Sequence, residues 1–156
     1  MFTVSKCLAQ QQPDFNNLKQ VTVLLERGDP MGGGPSYRLE ISGDGTVRYT
    51  GLMNVFVRGK RTGRISEGAF EKLLDEFRSA HFAELHDDYP SPATDQPWCV
   101  VTVASGSYAK RISEIGGQMN RVAPENLIRL EDKIDELANS KKWVRGSRLR
   151  RLLHWR

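Results

Sequence analysis

The sequence is short of the residues that small proteins use as chemical fixtures. Its 156 residues hold two cysteines, Cys7 and Cys99, and three histidines, His81, His86 and His154. Two cysteines supply neither a disulfide framework nor a four-ligand metal site. They fit a reducing compartment, so a cytoplasmic location is expected. No run of about 18 apolar residues is present, and no membrane-spanning helix is expected. The N-terminal stretch MFTVSKCLAQQQ lacks a basic start, and Lys6 interrupts its apolar part, so it does not read as a secretory signal. G-x-S-x-G and H-E-x-x-H are both absent, which removes the commonest hydrolase and zinc-protease arrangements. Gly32-Gly33-Gly34 lacks the Gly-Lys-Ser/Thr ending of a phosphate loop. A strand pattern follows it where a helix N-terminus would be needed to hold a phosphate. No cofactor is expected.

Charge is unevenly placed. The chain carries a net +4, yet residues 141–156 contain Lys141, Lys142, Arg145, Arg148, Arg150, Arg151 and Arg156 and no acid, which leaves residues 1–140 at −3. The basicity therefore belongs to the C-terminal end and not to the body of the chain. A second basic run, R-G-K-R-T-G-R at residues 58–64, places four cations within one short stretch. A run of this kind is what guards an exposed edge strand against pairing.

The length is that of one domain, able to bury roughly 70% of the surface its unfolded chain exposes. Residues 1–20 are polar and rich in Gln and Asn, a leader or loosely docked arm. Val21, Val23 and Leu25 alternate as one strand, and Tyr37, Leu39 and Ile41 as a second. Gly43-Asp44-Gly45 turns the chain into a third strand through Val47 and Tyr49. Val55 and Val57 are read as the start of a fourth. The period then changes. Ser66 is a candidate N-cap, and Phe70, Leu73, Leu74 and Phe77 form a helical stripe. Residues 87–97, with three prolines, are read as irregular. Residues 98–103 are apolar on both alternations, as a central strand is, and residues 108–115 form the return strand. Pro124 suits the start of a second helix, with Leu127, Leu130, Ile134 and Leu137 as its stripe. The predicted fold is α+β: a twisted antiparallel sheet of about six strands in the order β-β-β-β-α-β-β-α, with two helices on one face. Its parts are a leader at 1–20, one domain at 21–144 and a basic tail at 145–156.

Few side chains invite chemistry. His81, Glu84, His86, Asp87 and Asp88 are the densest set of metal-ligand types, but their spacing matches no known ligand pattern. Asp87, Asp88 and Asp95, with Glu114, offer carboxylates for acid–base work. Asp95 lies in T-D-Q-P and is read as shaping a turn. Tyr89, Thr94 and Asp95 make up a candidate polar loop. Cys99 falls in the predicted central strand and is read as a small hydrophobe.

Taken in order, S-Y-R-L-E-I-S-G-D-G-T-V-R-Y-T-G, G-K-R-T-G-R-I-S, D-D-Y-P-S-P-A-T-D-Q-P and the closing K-K-W-V resemble a bacterial family known as a domain of unknown function, DUF6438. The resemblance spans roughly residues 21–144 and implies one domain. Members of that family carry two closely spaced cysteines before the second strand, the later one followed by Pro and a Tyr two positions on. Here Pro35 and Tyr37 remain and both cysteines are missing, so no thiol or disulfide role carries over. The family brings no established activity.

The expected function is that of a non-catalytic binding module with a protein as partner. The candidate contact residues are Lys60, Arg61, Trp143, Arg148, Arg150, Arg151 and Trp155, because Arg and Trp are favoured at contact sites. A second reading is nucleic-acid or anionic-surface contact through Arg148, Arg150 and Arg151, helped by Lys60 and Arg61. A third is a hydrolytic or metal-dependent site around His81, His86, Asp88 and Asp95.

Overall fold

Apolar residues at every second position, with mainly polar residues between them, favour strands that bury one face. In the computed structural model, which describes residues 13–31, 33–93, 95–117 and 122–146, β1 spans Val21–Gly28, β2 Ser36–Ser42 and β3 Thr46–Met53. Their inward residues Val21, Val23, Leu25, Leu39, Ile41, Val47 and Tyr49 are all buried. The turn between β2 and β3 needs a residue at positive φ. Gly45 supplies it at +81°, where a Cβ would sit 2.4 Å from the Ile65 carbonyl oxygen.

The fourth strand differs from the sequence reading. It is the polar segment β4, Gly59–Arg64. Val55 and Val57 lie before it, half-buried against the core. Asn54 at φ +53° and Gly59 at φ +79° break the extended run on either side of them. The valines therefore fold back beneath the end of β3 instead of pairing with it.

Helix α1, Glu67–Ser79, starts where Ser66 Oγ accepts a hydrogen bond from the Ala69 amide at 3.2 Å. It buries Phe70, Leu73, Leu74 and Phe77, each contributing roughly 1.5–3 kcal/mol of apolar transfer. A short strand β5, Asp88–Tyr89, lies within the stretch read as irregular and pairs in parallel with β7, Tyr108–Ile115. Strand β6, Trp98–Ser105, lies between β1 and β7; its inner alternation is buried throughout, while on the outer one Val100 is buried and Trp98 is exposed. Helix α2, Glu125–Leu137, buries Leu127, Leu130 and Ile134, and α3 is a single turn at Lys141–Val144.

The sheet thus has seven strands in the order β4-β3-β2-β1-β6-β7-β5 among the described residues. All pairs are antiparallel except β5 with β7. The α+β class holds, with one more strand and one more helix than expected. The helices cover one face. The other carries Glu26, Arg38, Glu40 and Arg48, where Arg48 meets Glu40 at 2.9 Å and Arg38 meets Glu26 at 3.7 Å. Part of the expected leader is also in place. Phe15 is buried in the core, Ser105 Oγ donates to the Asp14 carbonyl, and residues Leu18–Gln20 form a 3-10 turn.

Candidate interaction surface

Strand β4 is the sheet's outer edge, and all its residues but Gly63 are exposed. Its partner β3 fixes the side-chain directions. Lys60, Thr62 and Arg64 lie opposite Thr50, Arg48 and Thr46 on the uncovered face, and Arg61 lies opposite Tyr49 on the helix side. Arg61 Nη1 donates to the Lys60 carbonyl at 2.7 Å, and Arg64 Nη2 donates to the Asp44 carbonyl at 2.9 Å.

Trp143 lies below this edge and is not part of the exposed surface. It is 8% exposed and stacks on Tyr49 with ring centroids 5.1 Å apart and planes at 25°. Gly63 makes room for it, since a Cβ there would approach the indole to 2.9 Å. Two backbone bonds fix the contact: Phe56 N donates to the Val144 carbonyl at 3.0 Å and Val57 N to the Trp143 carbonyl at 2.8 Å. The Lys142 ammonium sits 4.2 Å from the centre of the Trp143 ring and lies beside Gly63. Two basic stretches far apart in sequence are thereby joined. Arg58, Lys60, Arg61 and Arg64 from one, with Lys141, Lys142 and Arg145 from the other, are exposed; Lys142 lies against Trp143, Lys60 and Arg64 are on the uncovered face of the sheet, and Lys141 and Arg145 turn toward the cleft described below.

The remaining candidates that the structure describes do not come together. Arg148, Arg150, Arg151, Trp155 and Thr94 lie outside the described residues. Tyr89 is buried, with its hydroxyl accepting from the His86 amide at 3.0 Å. Asp95 is exposed in the left-handed region at φ +61°. His81 lies 3.6 Å from Glu84 on the surface, and Asp88 accepts from Ser113 Oγ. Among the described residues no three His, Cys, Asp or Glu side chains come together in a way that could hold a metal ion.

The molecule's main buried polar cluster was not singled out from the sequence. A cleft of about 500 Å³ opens at the end of the sheet between β1, β2, β6 and the helices α2 and α3. On its floor Arg27 Nε donates to Asp135 Oδ2 at 3.0 Å, Nη2 to Asp132 Oδ1 at 3.3 Å, and Nη1 lies 3.6 Å from Glu131 Oε2. Asp135 also accepts from the Tyr37 hydroxyl at 2.8 Å and from Ser140 Oγ at 2.5 Å. Glu114 is buried nearby, with Oε2 accepting from the Gly117 amide at 2.9 Å. The signal was present. Arg27 continues the inward alternation of Val21, Val23 and Leu25, Glu114 that of Ile112, and Glu131 the stripe of Leu127 and Ile134. Three charged residues at inward positions of one core end must find one another or pay for desolvation.

Burial pushes the Glu131 carboxyl up to about 8, against the opposing pull of Arg27. Burial prevails because Arg27 shares its charge with Asp132 and Asp135, and its contact with Glu131 is the longest of the three. Burial likewise raises the Cys99 thiol well above its ordinary range and so keeps it protonated. A carboxyl raised in the fold binds a proton that the unfolded chain has lost. Stability should therefore fall as pH rises from about 4.5 to about 8, by up to about 1.4 kcal/mol per pH unit. Urea unfolding across that range should show the slope, and Glu131→Gln should flatten it.

A family model described as "Domain of unknown function (DUF6438)" matches residues 21–138. The chain belongs to this family. The DUF6438 match covers β1 to α2, including Arg27, Glu131 and the basic edge strand, and stops short of Lys141, Lys142, Trp143 and Arg145. The buried ion cluster thus lies within the family's domain, while the basic surface combines a strand of that domain with a helix beyond the match. No curated protein matches the sequence.

Proposed function

We propose that this chain is a non-catalytic interaction module whose partner is a protein presenting an acidic segment to the basic surface of β4 and α3. The observation that carries the reading is the pair of backbone bonds from residues 56 and 57 to residues 144 and 143, which hold two acid-free basic stretches around Trp143. Seven exposed cations on a rigid base attract and orient an anionic partner at little cost in ordering.

The test titrates the full-length chain with labelled poly-L-glutamate and, separately, with labelled oligothymidylate. Reversing two charges in the variant Lys60→Glu/Arg61→Glu should weaken polyglutamate binding by about a hundredfold at low salt, since each exposed contact is worth roughly 1 kcal/mol and each reversal adds repulsion. Arg129→Glu, on the exposed side of α2, should leave it unchanged. Equal affinity of the double variant and the parent would remove the basis for this reading. Tighter binding to oligothymidylate would shift it to nucleic-acid contact.

A further inference from the structure

The reading above names a surface and leaves open how a partner is held there. The backbone of β4 answers that question, and the inference rests on that reading. Ile65 N donates to the Gly45 carbonyl at 2.9 Å. In an antiparallel ladder the bonded pairs alternate. Those between β3 and β4 therefore fall at Val47 with Gly63, Tyr49 with Arg61 and Gly51 with Gly59. The amides and carbonyls of Lys60, Thr62 and Arg64 are left pointing away from the sheet. Among the described residues no strand pairs with that side of β4. Among the described residues the Lys60 carbonyl accepts from the exposed Arg61 guanidinium, which an incoming carboxylate can draw aside.

We infer that β4 takes an acidic, extended polypeptide by strand addition: the partner continues the sheet beside Lys60, Thr62 and Arg64 while its carboxylates meet Lys60, Arg61, Arg64 and Lys142. Two features select this occupant. The free edge offers donors and acceptors in alternation, which a polypeptide backbone matches and a phosphodiester, having acceptors only, does not. The flanking side chains are cationic on both faces of the strand. A second copy of β4 would set like charges against one another, whereas a strand with acidic residues at both odd and even positions would be paired on each face. The cations that protect the edge from self-association thus admit one class of partner.

The probe is an end-blocked heptapeptide, Glu-Glu-Val-Glu-Glu-Val-Glu, which places glutamates on both faces of an extended strand, titrated into the full-length chain by fluorescence anisotropy and by amide hydrogen exchange. Exchange at Lys60, Thr62 and Arg64 should slow by about tenfold or more on saturation, while Arg61 and Gly63, already bonded to β3, should not change. Thr62→Pro removes one outward N–H at an edge position that tolerates proline. It should weaken binding by about tenfold, and Lys60→Glu/Arg61→Glu should weaken it further. If the peptide binds Thr62→Pro as it binds the parent, fails to bind the charge-reversed variant and leaves the three amides unprotected, strand addition is wrong and the basic surface stands. If the charge-reversed variant also binds like the parent, both readings fall. Absence of binding, or oligothymidylate binding more tightly than the peptide, overturns strand addition as well.

Discussion

Replacing Trp143 by alanine is expected to destabilise the fold by about 3–5 kcal/mol, or on the order of 10 °C in Tm for a domain of this size. The indole is 8% exposed, stacks on Tyr49 at 5.1 Å and fits over Gly63. Its loss opens a cavity that the rigid edge of the sheet cannot close. It also loosens α3, whose backbone holds Phe56 and Val57, and so separates Lys142 from β4. Affinity for an acidic peptide should fall together with stability in this variant. In Trp143→Phe, which keeps an aromatic stack, both losses should be much smaller. Urea unfolding followed by circular dichroism measures the first effect and anisotropy the second. A cost below about 1 kcal/mol for the alanine variant would show that α3 is only loosely attached.

Arg27→Met should cost about 3–5 kcal/mol at neutral pH. The methionine fills much of the same volume, so the loss is electrostatic. Asp135, 16% exposed, is left without the guanidinium that donates to it at 3.0 Å, and Glu131 loses the cation 3.6 Å away. Because Glu131 is already held protonated up to about 8 by burial, the larger share of the cost falls on Asp135. Asp135→Asn in the Arg27→Met background should therefore recover more stability than Glu131→Gln does. A double-mutant cycle on Arg27 and Asp135 should give a coupling of about 2 kcal/mol. Additive losses would mean that the cluster does not act as a unit. Ser140 hangs from the same carboxylate, so the cluster also sets where α3 begins and, through it, the seat of Trp143.

Three misreadings share one cause. Val55 and Val57 looked like a strand because valine favours strands, but Asn54 and Gly59 take positive φ and turn the pair back under Gly51, where a Cβ would meet the Val57 carbonyl at 2.1 Å. The fourth strand is instead the polar segment Gly59–Arg64, which pairs along the free edge of β3. Strand β5 was missed because two residues paired in parallel carry no periodicity of their own. Each outcome depended on which backbone was already in place nearby. A tryptophan among lysines reads as a contact residue, yet Trp143 is buried while Lys141 and Lys142 beside it are exposed.

Periodicity by itself determined the α+β class, the inward faces of β1, β2 and β3 and the stripes of both long helices, and residue type the cap at Ser66. These follow from interactions a few residues apart, which sequence order records directly. The tertiary structure decided the strand order, the pairing of Arg27 with Glu131 and Asp135 across more than a hundred residues, and the meeting of residues 58–64 with 141–145 around Trp143. Such contacts depend on how twisted strands and packed helices bring distant chain segments together, and no local pattern carries that information.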